Sequence, residues 1–249
     1  MITMLRATAT MAAVTLLIGA CKPKDAQTEG QVTTRTGAGE VASSISGDSA
    51  DKRDEALVRV VDAAATPEGL IVRADETHAL PTVEYKKVTA YQPIDKTWAK
   101  FQVNSMPGGS FTPLETNREL LTDGYRYSMV IMRNKDGSGI ESRILRDEIS
   151  SDMSTSHLRV VHAAQGVGEV NVIAKGGEKL FDGVNFTSEA GFKNVTPWTG
   201  VLEFRTQDDN RLLLTMPNVK LEAGKSYTIV LTRNAKGKVD SFWFEDMQS

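Results

Sequence analysis

From Leu57 onward the chain is a series of short apolar runs of period two, separated by turn residues. Such alternation marks strands whose two faces meet different surroundings. No 12-residue stretch carries a helical period. The pattern predicts strands near 57–62, 69–74, 83–91, 98–103, 111–115, 125–133 and 140–147. A second set is predicted near 158–163, 169–174, 180–187, 198–205, 211–216, 226–233 and 239–245, giving seven per set. The run Tyr227 to Leu231 is apolar or β-branched throughout, as in a strand covered on both faces. The return strand alternates, with Val239, Ser241 and Trp243 on one side and Asp240, Phe242 and Phe244 on the other.

The two sets are copies of each other. The opening "RVVDAA" at Arg59 reappears as "RVVHAA" at Arg159, 100 positions on. Trp98 and Trp198, Gly124 and Gly224, Tyr127 and Tyr227, Arg133 and Arg233, and Gly137 and Gly237 keep that spacing of 100. In the middle the alignment slips, with Val88 set opposite Val184 at a spacing of 96. The repeat predicts an all-β chain with two tandem β-sandwich domains, residues 56–149 and 157–249, joined by the polar linker Ser150 to Ser156. Asn134 to Gly137 and Asn234 to Gly237 supply hairpin turns in which glycine can take positive φ.

Ahead of each hairpin stands Leu-x-x-Gly-x-x-Tyr: Leu121, Gly124 and Tyr127, then Leu221, Gly224 and Tyr227. The motif resembles the tyrosine corner of immunoglobulin-like and fibronectin type III sandwiches, where a Tyr hydroxyl bonds back to the preceding corner. The alternative is an aromatic that simply begins a strand. Trp98 and Trp198, being equivalent, are expected in or near the cores; a sugar-stacking role is the competing reading.

The region before Leu57 has another character. Arg6 precedes an apolar and small-residue stretch from Ala7 to Ala20, about 14 residues and too short to span a bilayer, which takes about 20. It suits the apolar part of a signal peptide. Ile18-Gly19-Ala20-Cys21 resembles the lipobox of bacterial lipoproteins, although Ile18 replaces the commoner Leu. The resemblance implies cleavage of residues 1–20 and lipidation of Cys21, with a buried Cys after an ordinary signal as the alternative. Lys22 rather than Asp follows, which in lipoproteins of diderm bacteria implies the outer membrane, with the periplasmic face favoured over the surface. Residues 21–55 are then the lipidated Cys and a Gly/Ser/Thr-rich tether with too little to bury to become ordered.

The opening of the second set, "RVVHAAQGVGEVNV", with its later "LEAGKSYT", resembles the bacterial family DUF4397. Arg159, His162, Ala163, Val170, Val172, Leu221, Ala223, Gly224, Tyr227 and Thr228 match its pattern, while Asn171 and Ile173 depart from it. The first set keeps Arg59, Ala63 and Val72 but has Asp62 in place of the His. The resemblance implies a β-rich extracytoplasmic protein, often a lipoprotein, and no assigned activity.

Composition narrows the chemistry. The net charge of −3 without a basic run argues against nucleic acid, and one Cys excludes an internal disulfide. His162 and Asp62 share a position, so a polar group bonding the neighbouring loop is expected there rather than a catalytic one. His157 and His162 fall on opposite strand faces, and His78 on a surface loop. Asp208, Asp209 and Asn210 could hold calcium but fit a solvated hairpin tip better. No catalytic motif, metal site or cofactor is expected. The sequence points to a non-catalytic lipoprotein, held to the membrane through Cys21 and binding another envelope component. The alternative is a carbohydrate-binding lipoprotein for surface polysaccharide or peptidoglycan. A hydrolase with its site between the domains would show as ionisable groups converging in a cleft.

Overall fold

The computed structural model describes residues 54–75, 77–95, 97–105, 115–149 and 151–246. The expected signal peptide, Cys21 and nearly all of the expected tether lie outside them. All described residues belong to one compact unit within Ser44–Ser249.

Sixteen strands and no helix are found among the described residues. The first eight are β1 (Ala56–Asp62), β2 (Leu70–Ala74), β3 (His78–Ala79), β4 (Gln92–Ile94), β5 (Trp98–Ser105), β6 (Glu115–Leu120), β7 (Arg126–Arg133) and β8 (Ile140–Asp147). The second eight are β9 (Ser156–His162), β10 (Val170–Ala174), β11 (Lys179–Val184), β12 (Glu189–Val195), β13 (Trp198–Thr206), β14 (Leu212–Leu221), β15 (Ser226–Arg233) and β16 (Val239–Glu245). They make four sheets, β4-β1-β7-β8 and β3-β2-β5-β6, then β12-β9-β15-β16 and β11-β10-β13-β14. Each pair of sheets closes on its own core, so the all-β tandem sandwich expected from the repeat is what the chain forms. In each sandwich the opening strand runs parallel to the seventh, β1 beside β7 and β9 beside β15.

Eight strands per sandwich replace the expected seven. The stretch 83–91 is not a strand: Val83 bridges Leu70 in one sheet and Val88 bridges Val61 in the other. The backbone crosses between the sheets there, and Lys86 takes φ 65° to make the turn. In the second copy the expected strand 180–187 divides the same way, with Val184 opposite Val170, Glu189 opposite Val161, and Thr187 at φ 64°. The structural equivalent of Val184 is therefore Val83, not Val88, and the alignment slips by one residue rather than four. The linker is also shorter than expected, because Ser156 opens β9, is buried, and donates to the Glu222 carbonyl.

The repeated opening has a physical reason. Val58 and Val60 point into the first core with Leu70, Val72, Phe101, Met129 and Ile131. Leu158 and Val160 do the same in the second with Val172, Leu202, Phe204, Ile229 and Leu231. The alternate residues Val61, Ala63, Val130 and Met132 meet Val161, Ala163, Val230 and Phe242 in a third cluster between the sandwiches. The β1–β7 and β9–β15 sheets thus lie between a core and the other copy, and every residue of β1 is buried. Burying about 25 cal/mol for each Å² of apolar surface, this contact joins the sandwiches as a core would.

Candidate functional site

Four charged side chains meet in the interface between the sandwiches. Arg59 from β1 reaches Asp246 beyond β16, and Arg159 from β9 reaches Asp147 at the end of β8. Each arginine also holds a hydroxyl in its own sandwich, Arg59 Nε to Ser128 Oγ and Arg159 Nε to Thr228 Oγ1, both at 2.8 Å. Those hydroxyls donate to the local carboxylates, Ser128 to Asp147 and Thr228 to Asp246, again at 2.8 Å. The result is a reciprocal exchange in which each copy neutralises the other's terminal aspartate. Tyr91 adds a 2.7 Å donor to Asp147, and Arg59 lies 4.7 Å from the ring centres of Tyr91 and Phe244.

Burial works against ionisation of Asp147, but the Arg159 and Arg59 guanidiniums overcome it and hold its carboxyl below the ordinary range. At Asp246, burial outweighs the arginines and, with the nearby Asp147 charge, raises it. These are the ionisable groups a site between the domains would need, and they do converge. They lie in no cleft: the side chains of both aspartates are fully buried. Buried in this way, they tie one copy to the other.

One end of the interface opens to solvent. There Arg133 at the end of β7 and Arg233 at the end of β15 line a cavity of about 190 Å³, with Ala63, Ala64, Ala65, Ala163 and the two hairpin glycines Gly137 and Gly237. Arg133 Nε donates to the Ala64 carbonyl at 2.9 Å, and Arg233 Nε to the Gln165 carbonyl, while Arg233 Nη1 holds the Gly237 carbonyl. Both side chains are half-buried. The terminal nitrogens of Arg133 and Nη2 of Arg233 make no hydrogen bond to the described residues, and the Arg133 charge acts on Asp62 behind it. No acidic side chain lines the cavity. Gln165 donates to the Lys135 carbonyl at 3.1 Å, clasping the first copy's hairpin from the second.

Next to this cleft stand the equivalent residues Asp62 and His162. Asp62 accepts from the Ala64 amide at 2.7 Å, and His162 Nδ1 from the Ala164 amide at 3.2 Å. His162 Nε2 faces the Gly168 carbonyl at 3.0 Å, so the ring is neutral with its proton on Nε2. Either side chain fastens its own loop, the polar contact to the neighbouring loop that the shared position suggested. Burial raises Asp62 to about 6 and pushes His162 below its ordinary value.

The remaining sequence candidates are dispersed. The Tyr127 hydroxyl accepts from the Thr122 amide at 3.0 Å and the Tyr227 hydroxyl from the Glu222 amide at 3.2 Å. Leu121 and Leu221 are buried, and Gly124 and Gly224 turn at φ 82° and 75°. Trp198 packs against the second core, but Trp98 is 66% exposed beside its cross-strand neighbour Leu120, 54% exposed, which corrects the expectation that both tryptophans lie near a core. The cause lies two residues on. Gly200 leaves room for the Trp198 indole, which occupies the place of a β-carbon there, whereas the first copy has Lys100 at that position. His78 is exposed in β3, and Asp209 accepts from Thr206 and Arg211 at an exposed turn. Among the described residues no group of three or more His, Cys, Asp or Glu could hold a metal. Cys21 lies outside the described residues.

Sequence reading passed over Arg133, Arg233, Asp147 and Asp246 as a site. The repeat carried the signal: the two arginines keep the spacing of 100, and the aspartates close the last strand of each copy, Asp147 as its final residue and Asp246 one position beyond.

The sequence profile of DUF4397, a domain of unknown function, matches residues 56–173 and again 156–249. The chain belongs to this family. No curated protein matches it. Solved structures similar to this DUF4397 chain include the C-terminal domain of AlgF from P. aeruginosa, at 16% identity, covering 37% of this chain and 98% of that one, with a TM-score of 0.29. Another is CBMbc, a CBM26 module of Amy13K from Eubacterium rectale in complex with maltoheptaose, at 11% identity, 78% and 98% coverage and a TM-score of 0.22. A candidate cell adhesion protein from Bacteroides uniformis is 13% identical, with 78% and 100% coverage and a TM-score of 0.23. At these scores the likenesses carry no functional argument.

Proposed function

We propose that this DUF4397 protein is a non-catalytic binding module of the cell envelope. A lipid on Cys21 holds it in the outer membrane facing the periplasm, the segment 22–55 gives reach, and the paired sandwiches present a rigid surface to another envelope protein. The observation that carries this reading is the contrast within the interface. Its opposed charges are sealed and neutralise one another, while the half-buried arginines lining the cavity at its open end keep nitrogens that make no hydrogen bond to the described residues. A buried, satisfied network rigidifies, and arginines with donors to spare recognise. Crosslinking in intact envelopes tests it, comparing the wild type with Cys21→Ala and with Arg133→Ala/Arg233→Ala. The reading expects one discrete protein partner with the wild type and its loss in both variants. Labelled palmitate that fails to mark the wild type would remove the anchor.

A second reading, carbohydrate binding, has its own observation in the exposed Trp98 beside Leu120. Exposed tryptophan is a platform for a sugar ring. Recovery of no protein, together with polysaccharide protection of Trp98 from iodide quenching, would favour it.

A further inference from the structure

We infer that the cleft between Arg133 and Arg233 is a binding site for one oxyanionic group, a carboxylate or a phosphate, carried on a small unit of the size of a single sugar or amino acid. This rests on the reading of the junction as the binding face and names the ligand chemistry it would take.

Three independent features lead there. The first is charge. Two half-buried guanidiniums share a cavity of about 190 Å³ whose lining contains no carboxylate, in a chain of net charge −3. The two copies differ in the acid behind the cleft: buried Asp62, bonded to Ala64 and Thr66, feels the Arg133 charge, whereas the second copy has neutral His162 in its place, leaving Arg233 without that carboxylate. One carboxylate serves two half-buried cations, and an anion arriving between them supplies the missing charge.

The second is orientation. Both arginines are fixed at Nε by a backbone carbonyl, and Arg233 also at Nη1, which sets the plane of each guanidinium. The two terminal nitrogens of Arg133 form a planar fork that suits the two oxygens of a carboxylate or phosphate, and Arg233 Nη2 adds a further donor. The third is the wall. Buried Ala63, Ala64 and Ala163 form an apolar floor, and at the rim Gly237 has open space where a β-carbon would stand, so a ligand can approach its backbone closely. Ala65 also lines the cleft and holds φ 53°, a conformation an alanine adopts only under constraint. The volume is below the roughly 300–1,000 Å³ of sites for drug-sized ligands, so it suits one charged unit, not a chain.

The test is calorimetric titration of the full lipoprotein in detergent with glucuronate, inorganic phosphate and, as a neutral control, glucose. The expected result is saturable binding of at least one anion and none of glucose. Binding of phosphate alone selects phosphate, of glucuronate alone selects carboxylate, and of both selects any compact oxyanion; each supports the site. Affinity should fall at least about tenfold in Arg133→Gln/Arg233→Gln, since each lost charged hydrogen bond weakens binding by about that factor. Because those variants also lose a backbone bond, Ala235→Phe provides a second arm: it fills the cleft from an exposed turn and leaves both arginines in place. Lys135→Gln, outside the cavity lining, should bind as the wild type does. Failure of both anions to saturate, equal binding of glucose, or unchanged affinity in Ala235→Phe would overturn the site. Anion binding without a crosslinked partner leaves this site standing and removes the envelope-protein reading. A partner recovered with no anion binding does the reverse.

Discussion

At the scale of single residues, the equivalent side chains Asp62 and His162 do the same structural work with opposite responses to acid. Burial holds His162 below its ordinary 6.5, so the folded chain binds fewer protons than the unfolded one between the two values. Its contribution is therefore present above pH 6.5 and declines as pH falls below it, by at most about 1.4 kcal/mol per pH unit. Asp62 is raised from 3.8 to about 6, so its contribution is present below pH 3.8 and is lost as pH rises through 6. Urea unfolding of the wild type and His162→Asn at pH 7.5 and 5.5 checks the first sign: the advantage of the wild type shrinks at the lower pH. The interface arginines give a larger effect. Arg159→Ala leaves buried Asp147 with only Arg59, at 3.4 Å, an expected loss of about 3 kcal/mol in unfolding free energy, whereas Arg159→Met with Asp147→Leu costs less than the single change. Tyr127→Phe and Tyr227→Phe each remove one hydrogen bond across a corner and should cost about 1 kcal/mol in the same measurement.

At the scale of elements, much of the strand pattern was legible because burial follows the pleat. The run Tyr227 to Leu231 reads as covered on both faces, and it is, by the second core and by the other sandwich. Val239 and Trp243 fall on the core side of β16, with Phe242 and Phe244 on the interface side, as alternation requires. The crossing segments 83–88 and 184–189 were not legible, since an apolar residue reads the same whether its backbone stays in one sheet or passes to the next. Trp98 was misplaced for a more local reason. Its equivalence to Trp198 ended at a neighbour, where Lys100 replaces Gly200. The structure predicts that Gly200→Lys expels the Trp198 indole, moving its emission to the red and opening it to iodide; unchanged emission would break the explanation.

At the scale of the whole molecule, the repeat showed two sandwiches but not how they meet. Nothing in the linear spacing says that Arg59 serves Asp246 and Arg159 serves Asp147, because the pairs cross between copies and their spacings, unlike those within a copy, have no counterpart in a motif. The binding cleft was hidden for the same reason, each copy supplying one arginine. The central claim is that these crossed pairs and the apolar cluster between the sheets make one locked body from two repeats. Urea unfolding followed separately in the two copies, through hydrogen exchange of the buried β7 amides in the first and the buried β15 amides in the second, tests it most directly. The account predicts coincident transitions, with Arg59→Ala lowering both midpoints together. Two separated transitions, with Arg59→Ala moving only one, would contradict it.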